Sequence, residues 1–170
     1  FGTSYLYTGF YNGRIYHGTF QFDLSFLPPG STIHYAAIEL TGLDDSTLSG
    51  DQGRWSLNML APEIDPNWPL HAYREIHDAQ VAFTLSPLLT SADLAAGKTN
   101  AFVFDAGERA ELERRIATGV ISFRLDGPSS GVPNMFSWDT GYGNATQGHG
   151  PVLRIAVAPP EVPVTPTVER

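Results

Sequence analysis

The 170-residue sequence predicts an all-β fold, a jelly-roll-type β-sandwich of about eight or nine antiparallel strands with one short α-helix near residues 106–118. Three observations carry this. Short stretches alternate apolar and polar residues with a period of two, clusters of Gly, Pro, Asn and Asp separate them, and one stretch alone combines a helical period with start and stop signals. With 42% apolar residues, 17 Gly and 13 Pro, the chain fits a single globular domain able to bury its own core. We read residues 1–158 as that domain and 159–170 as an extended C-terminal arm rich in Pro, Val and Thr.

The first stretch, SYLYTGFYNGRIYHGTFQFDL, sets Asn12-Gly13 between aromatic and β-branched residues, the signature of a two-residue hairpin turn with both central φ angles positive. Beyond the turn, Phe20, Phe22 and Leu24 fall on one face and Thr19, Gln21 and Asp23 on the other, so one face belongs to the core. LPPGST then reverses the chain into IHYAAIELTG, with Ile38 and Leu40 directed inward. RWSLNML, DAQVAFTL, KTNAFVFD, GVISFRLDG, NMFSWDTG and PVLRIAVA read as further strands. Trp138 shares its parity with Phe136, opposite Ser137 and Asp139, and is therefore expected in the core.

The helical signal lies in DAGERAELERRIATG. Asp105 is positioned as an N-cap with Glu108 three residues on, Arg114 and Arg115 complement the C-terminal end, and Gly119 stops the helix. Leu112 and Ile116 form a narrow apolar stripe, while the charged residues are expected on a solvated face. From residue 63 to 78, EIDPNWPLHAYREIHD has two prolines and no clean period, which predicts a long loop.

At FQFDLSFLPPGSTIHYAAIELTG the chain resembles the DNRLRE domain family, related to polysaccharide-binding modules of secreted bacterial and archaeal proteins. Phe22, Asp23, Leu24, Ser25, Pro28, Pro29, Gly30 and Ile33 match the strand, Pro-Gly turn and Ile-containing strand of that family. FRLDG, FSWDTGYG and PVLRI, between Phe123 and Ile155, resemble its closing part, so the likeness covers most of residues 5–157. The resemblance implies a jelly-roll sandwich in an exported protein, serving as a binding or architectural module at the cell surface.

Charge excludes two partner classes. A net charge of −8 with only 10 Lys and Arg lacks the basic footprint that nucleic acid or an anionic membrane surface requires. No apolar run approaches the roughly 20 residues of a spanning helix. There is no cysteine, hence no disulfide framework and no thiolate chemistry. The start at Phe1 rather than Met carries the expectation of a processed, exported chain.

The sequence carries no catalytic constellation, so the expectation is a protein that is not an enzyme and needs no cofactor. Ser129 in GPSSG matches the nucleophile-elbow pattern, but that motif needs a strand turning into a helix, whereas strand-like NMFSWD follows here. His17, His34, His71, His77 and His149 include no pair at zinc-site spacing. Asp44, Asp45 and Asp51 in LDDSTLSGDQG, with Ser46, supply the hard oxygen donors that suit a structural calcium, and equally the residues of an ordinary surface turn. Trp68 in the long loop and Tyr142 in DTGYG are candidate aromatic platforms for a sugar ring. Asn144-Ala145-Thr146 is a glycosylation sequon.

In the arm, Val162, Val164, Pro166 and Val168 occupy alternate positions, a pattern that fits addition to a sheet edge or groove of another copy. Pro163 and Pro166 have opposite parity, so neither edge of such a strand keeps all its N–H donors. A polyproline-like arm, or a linker to a further domain, fits the same residues. Two functional expectations follow: a non-catalytic extracellular or cell-surface subunit that self-associates through this arm, as in a filament, and a carbohydrate-binding module. Partners are then other copies of the chain or a polysaccharide.

Overall fold

The computed structural model describes residues 4–50 and 53–160. It is an all-β sandwich of antiparallel sheets, as the alternation predicts. Asp51 and the arm residues Val162, Val164, Pro166 and Val168 lie outside the described residues.

The described residues form ten strands, β1 (Tyr5–Tyr11), β2 (Arg14–Tyr16), β3 (Gly18–Asp23), β4 (Thr32–Asp44), β5 (Arg54–Leu60), β6 (Val81–Thr90), β7 (Thr99–Val103), β8 (Val120–Asp126), β9 (Asn134–Asp139) and β10 (Val152–Ala158). The count exceeds eight or nine because the first stretch alone makes three strands. Asn12 and Gly13, at φ 50° and 73°, form the expected tight turn between β1 and β2, pairing Tyr11 with Arg14. One sheet runs β10-β4-β9-β1-β2, with β7 also on β4, and the other runs β3-β8-β5-β6. His17 is the single residue between β2 and β3, where the chain crosses from the first sheet to the second.

The core fills the space between the sheets. Ile38, Leu40, Phe102, Phe136 and Trp138 from the first sheet meet Leu57, Met59, Phe123 and Leu125 from the second, all fully buried or nearly so. Phe136 and Trp138 pack edge to face at 4.8 Å, and the Trp138 indole N–H donates to Thr8 Oγ1 at 3.0 Å. The whole of β9 is buried, including Ser137 and Asp139, which alternation alone assigns to the wet side. Asp139 stays buried because its carboxylate is saturated with donors, as described below.

Helix α2 (Ala106–Ile116) starts as predicted: the Glu108 amide donates to Asp105 Oδ1 at 2.8 Å and the Asp105 amide to Glu108 Oε2 at 2.8 Å. Its charged residues are not all solvated, however. Arg115 and Glu111 are buried beside Leu112 and Ile116, and Arg115 reaches out of the helix to Asp65.

The segment at 63–78 also departs from the expected loop. It forms three-residue 3₁₀ turns at Pro62–Ile64 and Trp68–Leu70 and then a six-residue helix, α1 (Tyr73–Asp78). Pro62 and Pro69 sit in the first positions of the 3₁₀ turns, where a missing N–H costs nothing, so they start structure instead of breaking it. Glu75 Oε2 accepts the Ala72 amide at 2.6 Å and fixes the start of α1. Each element is too short to show a period. Together they lay a third layer on the outer face of the second sheet, where Trp68 and Ile76 pack on Leu60 as a satellite core.

Candidate functional site

The third layer is held by two polar clusters. In the first, Arg115 bonds Asp65 Oδ2 with one nitrogen, Glu111 Oε1 with Nε at 2.6 Å, and the Leu60 carbonyl with another nitrogen at 2.8 Å. Ser122 donates to Asp65 Oδ1 at 2.6 Å, and Gln21 Nε2 donates to the Asp65 carbonyl at 3.1 Å. Burial is the largest influence on Asp65 and holds its carboxyl above the ordinary range in spite of Ser122 and Arg115. The ion pair therefore positions the layer more than it stabilises it.

The second cluster builds a cleft. Arg124 on β8 grips Asp126 with Nε at 2.8 Å and a terminal nitrogen at 2.9 Å, and its other terminal nitrogen donates to the carbonyls of Ile76 at 2.7 Å and His77 at 2.8 Å. A cation at the C-terminal carbonyls of α1 is favoured by the helix dipole and docks the helix on the sheet. Asn58 Nδ2 donates to Asp126 Oδ2 at 2.8 Å. Burial alone would raise the Asp126 carboxyl, but the contacts of His17 and Arg124 more than reverse this and hold it below the usual carboxylate range.

The pairing of Gly18 with Leu125 sets His17 beside Asp126, and His17 Nδ1 lies 2.6 Å from Asp126 Oδ1. On its other side, His17 Nε2 lies 2.8 Å from His77 Nδ1. The Tyr73 ring stacks near both imidazoles, at 5.7 Å from each, and its hydroxyl donates to the Ile15 carbonyl at 3.0 Å. Gly13, Arg14, Ile15, Tyr16, His17, Tyr73 and His77 enclose an open cleft of about 530 Å³ between the edge strand β2 and α1. That volume falls within the range of small-ligand sites, roughly 300–1,000 Å³. Tyr16 also joins the cleft to an aromatic band on β1: Tyr7 meets it edge to face at 6.1 Å, and Tyr5 and Tyr7 stack at 5.0 Å.

The residues singled out in the sequence do not form this site. Trp68 is only 7% exposed, its ring packed in the satellite core, so it presents no platform to solvent. Tyr142 is 52% exposed in the loop after β9 and is not part of that satellite core. Asp44 Oδ1 accepts the Ser46 amide at 2.8 Å, and Asp45 Oδ2 accepts the Ala96 amide at 3.0 Å, so both carboxylates secure turns. Among the described residues no group of three or more His, Cys, Asp or Glu is placed to hold a metal ion. Asn144 is exposed, and Thr146 of the sequon donates to Asp139 Oδ1. Ser129 lies in the loop between β8 and β9, away from any strand-to-helix turn.

Asp139 organises the loop between β9 and β10. Its carboxylate accepts the amides of Gly141, Gln147 and His149 at 2.9, 2.9 and 3.1 Å and the Thr146 hydroxyl. Burial would raise it, yet these donors outweigh burial and hold the carboxyl below its ordinary value.

No family model matches the chain, and no curated protein matches it. Among the described residues no helix is long and apolar enough to cross a membrane.

Proposed function

We propose that the chain is a non-catalytic carbohydrate-binding module of an exported or cell-surface protein, and that sugar rings lie along Tyr16, Tyr73 and His77 toward Tyr7 and Tyr5. The observation that carries this reading is the open aromatic cleft, with Tyr73 55% exposed while its hydroxyl is tied to the Ile15 carbonyl. A tethered, exposed ring is a preorganised stacking surface, and the electron-rich face of tyrosine suits the weakly positive C–H face of a pyranose. The test is retention on a panel of soluble and insoluble polysaccharides by affinity electrophoresis and pull-down. Retention lost in Tyr73→Ala, with an unchanged circular-dichroism spectrum, supports the module. No retention by the wild type, or equal retention by the variant, sinks it.

A second reading, self-association into a surface filament through residues 159–170, is favoured by a different surface. On the outer face of the first sheet, Tyr35, Val103 and Val152 are 44%, 49% and 42% exposed on the neighbouring strands β4, β7 and β10. A neighbouring copy laid on this face would bury these side chains beside the Arg154–Glu39 ion pair. Sedimentation of the full chain and of a chain ending at Ala158 separates the outcomes. Assembly that survives the truncation, or a monomer in both, overturns this reading.

A further inference from the structure

Sixty residues of sequence separate His17 from His77, yet His17 Nε2 and His77 Nδ1 face each other across 2.8 Å. Asp126 Oδ1 stands 2.6 Å from His17 Nδ1, out of line for a hydrogen bond as the ring lies, and an ionised carboxylate can only accept, so a small turn of the ring puts the proton on Nδ1 and leaves Nε2 with its lone pair toward His77. A carboxylate behind an imidazole, fixing its tautomer and its ring, is the arrangement that orients metal-binding histidines. We propose that His17 and His77 form a two-imidazole site for a divalent transition ion of the zinc class, with Asp126 as the positioning carboxylate. The metal takes the place of the proton on His77 Nδ1 between the two rings, and His77 stays a neutral ligand by carrying its proton on Nε2 instead.

The geometry asks for little movement. Two nitrogens about 2.0–2.1 Å from a tetrahedral zinc stand about 3.3 Å apart, so the pair opens by about half an ångström and the rings turn toward the ion. The ring centroids are 5.0 Å apart with planes inclined at 46°, and Tyr73 supports both rings at 5.7 Å. His77 is exposed on a six-residue helix, which leaves it room to adjust. The remaining coordination positions open to the cleft, where water or a hydroxyl-bearing ligand completes the shell. Imidazole donors favour zinc, copper and nickel over magnesium and calcium.

The metal site shares His77 and the cleft with the proposed sugar surface but does not rest on sugar binding, and its test contains no sugar. Isothermal titration of the full, tag-free chain with Zn²⁺ alone is expected to give one site, with no heat for Ca²⁺. His77→Ala removes that site. Asp126→Asn weakens it by roughly 10–100-fold, the usual effect of a lost partner behind a metal-bound histidine. His34→Ala, on the exposed part of β4, leaves it unchanged. Zn²⁺ should also shift the side-chain ¹⁵N resonances of His17 and His77 and leave those of His34 in place. No Zn²⁺ binding by the wild type, or binding at equal strength in His77→Ala, overturns the proposal, and all three variants are first checked for native circular dichroism.

Discussion

Ser122 on β8 donates its hydroxyl to Asp65 Oδ1 at 2.6 Å, joining a strand of the sandwich to a layer that the alternation pattern does not announce. The other oxygen of the same carboxylate accepts from Arg115 on α2, so one buried aspartate joins three elements. The consequence reaches the cleft. Asp65 and Arg124 anchor the two ends of the segment that carries Tyr73 and His77, and both anchors bond groups on β8.

Asp65→Ala leaves the buried Arg115 guanidinium with Glu111 as its carboxylate partner and takes the acceptor from Ser122. It is expected to destabilise the protein by about 2–3 kcal/mol, the scale of a lost buried hydrogen bond to a charged group. Urea denaturation followed by tryptophan fluorescence measures this, and a loss below about 1 kcal/mol contradicts the anchoring role. Because burial holds the Asp65 carboxyl above its ordinary range, replacing the pair with well-packed apolar residues should cost far less than Asp65→Ala.

Trp68 and Tyr73 lie five positions apart and have opposite tasks. Trp68→Ala empties the satellite core formed with Leu60 and Ile76 and should cost about 3–5 kcal/mol. Tyr73→Ala removes an exposed ring with one hydroxyl contact and should cost about 1 kcal/mol while abolishing retention on polysaccharide. Thermal denaturation of the two variants, beside a binding assay, separates the roles. A reversed order of stabilities would refute the assignment.

Period-two alternation made the sandwich legible, because each strand exposes one face to the core and few other folds present that pattern so many times. The hairpin at Asn12-Gly13 and the capping box at Asp105 and Glu108 were equally legible, since both are local chemistry. What escaped depends on distance. His17 finds Asp126 through the β3–β8 register and His77 through the docking of α1, and no spacing along the chain encodes either meeting. Trp68 in a proline-rich stretch reads as loop, yet tertiary packing buries it. In the same way Ser137 and Asp139 follow polar parity yet both are buried, Asp139 by the loop that it organises.

Asp139 sets an acid limit on stability. Its folded-state carboxyl titrates below the ordinary range, so the stability it contributes is fully present above the unfolded value and disappears as pH falls through the folded one. Asp139→Asn is expected to be less stable than the wild type by about 2–3 kcal/mol at pH 7, given hydrogen bonds to a charged acceptor. The gap should close progressively below about pH 4, near the ordinary aspartate value. Denaturation midpoints between pH 2 and pH 7 test this, and a constant gap means that the charge of Asp139 is not what holds the loop.

Gly9 marks the closest backbone contact beneath the aromatic band. It sits in β1 at φ +119°, a conformation that residues with a side chain avoid, and a Cβ there would stand 2.3 Å from the Asn134 carbonyl oxygen on β9. Nothing flexible can give way, because the obstacle is paired backbone. Gly9→Ala is therefore expected to cost about 1–3 kcal/mol from overpacking, with a further 1 kcal/mol or so from the unfavourable φ. Gly13→Ala, at φ +73° but with nothing within 4 Å of the added methyl, should cost only about 1 kcal/mol from φ alone. Equal losses in the two variants, measured by chemical denaturation, would show that the β1–β9 contact is looser than the geometry requires.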